Sequence, residues 1–264
     1  MCKLCERRSL TWLISLAALL AVASHPSHAA LFELTRNQHG ASNVAMADIS
    51  SGPFKMTLAA GPAGAVLNES HSAGLGVDSS PLVGQANEPA GDRNRFNLMR
   101  GGLQAGLGES VTFSFDHAGM IQGLLFDGLK DETLEYFRLE LPAGGVRTFV
   151  DFEVETRLTE QGFSLAALPL PGLTLLEDAN DDLLSLALGF QAGDVFSLTY
   201  GEFPYPQGYS PRGGENPNGG RWEGIVVTPE PAGALLACFA VSVGWRRHSR
   251  RRSRHCPRQR PLPL

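Results

Sequence analysis

Between Val111 and Asp116 the chain reads VTFSFD, with Val111, Phe113 and Phe115 alternating with Thr112 and Ser114. A period of two places every second side chain on one face, so this segment fits a strand lying over an apolar core. The pattern recurs along the chain. Met120–Phe126 follows the turn residues His117, Ala118 and Gly119. Leu134–Leu141 and Val146–Val154 flank Pro142-Ala143-Gly144-Gly145 and form a candidate hairpin. Asp194–Tyr200 and Arg221–Val227 repeat the strand character. Within Val146–Val154 the apolar residues do not alternate cleanly, which points to a bulge or a misjudged register. Leu183–Phe190 (LLSLALGF) reads equally as a short helix or a strand, because periodicity cannot separate the two in so short an apolar run. Strands at roughly ten-residue spacing, punctuated by Gly, Pro, Asn and Asp, predict an all-β chain. The expected body is an antiparallel β-sandwich or jelly-roll-like fold.

The two ends of the chain have a different character. Lys3, Arg7 and Arg8 precede LTWLISLAALLAVA, and Ser27-His28-Ala29 puts small residues where a signal peptidase reads. This predicts a secretory signal peptide cleaved after Ala29, with a retained anchor as the alternative. No cysteine follows the apolar run, which argues against a lipoprotein anchor. Toward the other end, Pro229 and Pro231 bracket Glu230, and the two rings fix φ and remove two backbone donors. AGALLACFAVSVGW follows, as a helix about 21 Å long against the ~30 Å hydrocarbon core of a bilayer. Trp245 suits the interface, and Arg246, Arg247, Arg250, Arg251, Arg252 and Arg254 make a cationic stop-transfer cluster. The alternative is a core helix followed by a basic nucleic-acid arm. The expected segments are a signal peptide over 1–29, a β body over 30–228, a sorting signal with a short transmembrane helix over 229–254, and a disordered tail over 255–264.

Cysteine and charge usage agree with export. All four cysteines, at 2, 5, 238 and 256, lie in the terminal segments, so the body holds neither a disulfide nor a thiol catalyst. The whole chain carries a net charge of −5. Setting aside the terminal segments leaves the body with about 11 basic and 25 acidic residues, or about −14. Such a surface repels nucleic acid and attracts divalent cations.

Two stretches carry candidate binding chemistry. Asp178, Asn180 and Asp182 form a D-x-N-x-D run whose oxygens suit Ca²⁺ on a loop. Leu183 stands where an EF-hand needs Gly, and Gly189 where it needs Glu, so that motif is excluded. A calcium brace in a sandwich loop competes with a plain solvated acidic turn. Asp127, Asp131 and Glu132 make a weaker cluster around Gly128. The Pro/Gly-rich stretch 201–220 carries Phe203, Tyr205 and Tyr209, candidate rings for stacking on sugars; alternatively they pack on the sandwich edge. For catalysis, the body offers His39, His71 and His117 but no HExxH, GxSxG or P-loop. Its many carboxylates select no glycosidase pair. No catalytic residue is assigned, and a non-enzymatic body is expected.

The ordered run of Pro229-Glu230-Pro231, an apolar segment and an arginine cluster resembles the PEP-CTERM sorting signal of exopolysaccharide-producing bacteria. The tail departs from that pattern by running on through RHCPRQRPLPL and by holding Cys238 and Ser242 within the apolar run. VTFSFD, with GLGV at Gly74–Val77 and the later QAGDVFSLTY, also looks like the β-sandwich bodies found with such tails. The resemblance implies processing by signal peptidase and by an exosortase-type enzyme acting at Pro-Glu-Pro. It further implies transient anchoring in the inner membrane, then delivery to the cell surface or extracellular matrix. The leading expectation is a surface- or matrix-associated protein linked to exopolysaccharide or biofilm. The alternatives are a carbohydrate-binding module, calcium-braced or not, and a secreted hydrolase.

Overall fold

The computed structural model describes residues 29–35, 40–70, 74–79, 95–98, 108–127, 134–168, 170–176, 180–203, 206–209 and 219–230. In chain order the strands begin with β1 (Ala30–Glu33), β2 (Ser42–Val44), β3 (Met46–Ser51), β4 (Phe54–Gly61) and β5 (Val66–Ser70). They continue with β6 (Gly74–Asp78), β7 (Ser110–Phe115), β8 (Gly119–Asp127), β9 (Glu135–Glu140) and β10 (Val146–Asp151). After a helix, α1 (Phe152–Glu160), come β11 (Leu173–Leu176), β12 (Asn180–Phe190), β13 (Val195–Glu202) and β14 (Arg221–Pro229). One sheet runs β12-β8-β14-β6-β5-β2, with β1 also on β14; the other runs β11-β10-β9-β13-β7-β4-β3. The chain is all-β in character. Residues 1–28 of the expected signal peptide and the tail from Pro231 onward, including 255–264, lie outside the described residues. Among the described residues no helix is long and apolar enough to cross a membrane.

Aromatic residues join the two sheets. Phe113 of β7 lies 4.9 Å from Trp222 of β14, and Phe126 of β8 lies 4.7 Å from Phe137 of β9. Phe115 meets Phe190 at 4.7 Å and Phe32 at 5.7 Å. Each ring removes a large apolar area from water, so this layer supplies much of the driving force for folding. The alternation of VTFSFD is realised directly: Val111, Phe113 and Phe115 are buried, and the residues between them are half-buried.

Two expectations need correction. Val146–Val154 is not one bulged strand, because β10 stops at Asp151 and α1 begins. The Asp151 carboxylate accepts the Glu153 N–H at 2.7 Å and caps the helix, while Val154 and Leu158, four residues apart, face one apolar cluster. The faltering alternation marks a change of period, not a bulge. Nor is the second sheet wholly antiparallel: β11 pairs parallel with β10, Thr148 opposite Leu173. Parallel neighbours need a crossover, which α1 supplies. The ambiguous Leu183–Phe190 run lies within β12, whose register on β8 slips twice.

The strands also define two ends. At one, the turn end, short turns occupy 52–53, 116–118, 141–145 and 191–194. They are tied together: Asp116 N donates to the Lys55 carbonyl, and Gly193 N to that of Phe115. β1 starts and β14 finishes here, with Ala30 opposite Val227. From the far end leave the longer connections 35–41, 79–109, 128–134, 152–172 and 203–220.

Candidate functional site

The strongest sequence signal, the Pro-Glu-Pro motif, sits where β14 gives out. Pro229 is the half-buried last residue of that strand, and Glu230 is exposed immediately after it. A proline at a strand end forfeits no interior ladder bond. Pro231 and Arg246, Arg247, Arg250, Arg251, Arg252 and Arg254 lie outside the described residues.

The far end holds a group of acids that no sequence motif singled out. Glu109 is fully buried; its Oε1 accepts the Ser79 N–H at 3.0 Å and its Oε2 the Asn97 N–H at 2.8 Å. Glu135, also fully buried, accepts the Tyr200 hydroxyl at 2.8 Å and the Gly219 N–H at 3.1 Å. Glu202, directly opposite Glu135 across β9 and β13, lies 3.1 Å from the same hydroxyl. A phenol has one proton, so Tyr200 donates to one of these two carboxylates at a time. Burial, then the charges of Glu135 and Glu202, pushes the Tyr200 hydroxyl well above the usual tyrosine range, so it stays neutral near neutral pH. Nearby, Arg221 at the start of β14 pairs with Asp127 at the end of β8, 3.1 Å apart.

Chemically, this group is a framework. Carboxylates aimed at backbone N–H groups form strong charge-assisted bonds. Here those bonds pin Ser79 at the start of connection 79–109, Asn97 within it, and Gly219 near the end of connection 203–220. Sequence inspection missed the group because its members meet only through strand register; Glu135 and Tyr200 are 65 positions apart.

The candidate calcium ligands are placed differently from expectation. Asn180 and Asp182 belong to β12, opposite Asp127 and Phe126, with a register slip between them. They are strand residues, not members of a turn, because β8 supplies a pairing edge that recruits the segment. Asp178, Asp131 and Glu132 lie outside the described residues, and Asp127 is engaged by Arg221. Among the described residues no group of three His, Cys, Asp or Glu is placed to hold a metal ion.

Of the two readings of the 201–220 rings, packing on the body is the one found for Phe203 and Tyr209. Phe203 and Tyr209 are 8% and 9% exposed and belong to the apolar cluster beneath α1, with Leu134, Val150, Val154, Leu158 and Leu165. Phe203 stacks on Tyr136 at 4.3 Å, and Tyr209 meets the Phe163 ring edge-on at 6.1 Å. Rings committed this way offer no open face to a sugar. Tyr205 lies outside the described residues, as do His39 and His71. His117 sits in the exposed β7–β8 turn, with Nδ1 2.8 Å from Asp116 Oδ1. Comparison of the chain with protein-family models, curated proteins and solved structures finds no match.

Proposed function

We propose that this chain is an exported β-sandwich protein of the cell surface or extracellular matrix, associated with exopolysaccharide or biofilm and without catalysis of its own. A signal peptide ending at Ala29 and a PEP-CTERM-type tail starting at Pro229 deliver it. One observation carries the reading: the compact β unit spans His28–Thr228, its first strand starts at Ala30 and its last ends at Pro229. Both limits fall beside the expected processing points. In this reading signal peptidase cuts after Ala29, and the apolar run with its arginines holds the body at the inner membrane. An exosortase-type enzyme then acts at Pro-Glu-Pro and passes the acidic body outward. A carbohydrate-binding reading would need a platform other than Phe203 and Tyr209.

Replacing Pro229 and Pro231 together with alanine should leave a membrane-held precursor in the native host, detected by immunoblotting of membrane and surface fractions. Processing indistinguishable from the unaltered chain would refute the sorting role of the motif.

A further inference from the structure

We infer that the turn end of the sandwich is a membrane-facing surface, lying against phospholipid headgroups while the body is anchored. The inference rests on the sorting reading above and adds an orientation that it lacks. Ala30 and Val227 are paired neighbours on β1 and β14, and the turn glycine Gly52 lies beside Ala30. Both connections to the terminal segments therefore leave from one end. Only Glu230 and Pro231 separate β14 from the apolar run beginning at Ala232. At no more than ~3.6 Å per extended residue, that tether holds the end of β14 within roughly 10 Å of the membrane-seeking segment. The far end cannot take this position, because β14 points the other way.

The surface of the turn end suits such a neighbour. Its turns carry small residues at their tips, Gly52-Pro53, Ala118, Pro142-Ala143-Gly144 and Ala192-Gly193, beside the larger Asp116, His117, Leu141, Gln191 and Asp194. In a body of strongly acidic balance, the carboxylates of these turns are already engaged. Asp116 Oδ1 accepts the Lys55 N–H at 2.8 Å and lies 2.8 Å from His117 Nδ1, while Asp194 Oδ2 accepts the Gln191 N–H at 2.8 Å. Exposed aliphatic side chains lie close by: Leu31 (49%) follows Ala30, Val195 (56%) follows the 191–194 turn, and Leu173 (37%) opens β11. The consequence is directional. The far end, with its long connections and carboxylate framework, faces outward, where a matrix partner would reach it.

The test uses the full chain with Cys2, Cys5, Cys238 and Cys256 replaced by serine, and one new cysteine at a time for a fluorescent label. Labels go on the turn end, as Ala143→Cys and Ala192→Cys, and on the far end, as Met46→Cys. Each chain is reconstituted into phosphatidylethanolamine–phosphatidylglycerol vesicles carrying a headgroup nitroxide quencher. The chain should float with the vesicles, and quenching should be several-fold stronger at 143 and 192 than at 46, because the six residues of β3 set Met46 roughly 17 Å farther out. Flotation with equal quenching at all three positions overturns the orientation alone. A chain that fails to float overturns the anchoring reading, and the orientation falls with it.

Discussion

Glu69 on β5 is 3% exposed, and among the described residues neither of its carboxyl oxygens has a hydrogen-bond partner. Glu135 is buried as deeply but accepts a hydroxyl and a backbone N–H. The comparison separates burial from satisfaction: a buried polar group left unpaired costs about 1–3 kcal/mol, whereas a paired one costs little. Glu69→Leu should therefore raise the melting temperature of the body in calorimetry, while Glu135→Leu should lower it; a drop for Glu69→Leu would mean that the carboxyl has an unseen role. Tyr200 gives a pH-dependent counterpart. Burial and the two nearby glutamates raise its ionisation well above 10 in the folded protein. The folded state keeps a proton that the unfolded chain releases near pH 10. Its contribution to stability is intact below that pH and is lost as pH rises through the folded-state value. In an alkaline titration followed by phenolate absorbance and circular dichroism, part of the tyrosine signal should appear only as the fold is lost. Tyr200→Phe should shrink that late phase, and complete ionisation ahead of unfolding would contradict the assignment.

Elements differed in how well the sequence announced them. β7 was legible because one side of VTFSFD is wholly apolar and its turns are short. α1 was not, since a nine-residue helix shows little more than one apolar repeat, Val154 to Leu158, and its other residues are mostly polar. What starts it is the Asp151 cap, a local bond that a scan for alternation does not see. Asp151→Ala should cost about 1 kcal/mol or more in urea unfolding, and Asp151→Asn, which keeps an acceptor, distinctly less. Equal losses would point to the other contacts of this buried carboxylate. The same helix explains why the sequence left Phe203 and Tyr209 open between stacking on a ligand and packing on the body. A Pro/Gly-rich stretch looks like an open loop in sequence, and nothing local reveals that α1, folded fifty positions earlier, leaves an apolar face needing cover. The Glu135–Tyr200–Glu202 group was illegible for a related reason, because register is a property of pairs of distant strands.

At the scale of the whole molecule, the first strand closes the fold from the last. β1 carries Phe32, 1% exposed, into the ring layer against Phe115, and its backbone runs antiparallel along β14 from Gly224 to Val227. The segment beside the expected signal-peptidase site is thus a structural member of the body, and the strand leading to Pro-Glu-Pro is completed by it. Completion of the sheet depends on this pair, since β14 lacks its β1 neighbour until residues 30–33 are in place. Removing the Phe32 ring leaves a cavity between the sheets and loosens β1 from β14, at a cost of about 3–5 kcal/mol. Phe32→Ala should accordingly lower the urea midpoint and speed limited proteolysis near the end of β14. Gly119 offers a matched control for crowding at the same end: a Cβ there would come within 2.7 Å of the Thr228 carbonyl oxygen and 2.9 Å of the Phe190 ring. Gly119→Ala should destabilise through that clash even though it adds apolar volume. If Phe32→Ala left both stability and proteolysis unchanged, β1 would be a dispensable extension, and the paired exit of the two chain ends would lose its structural basis.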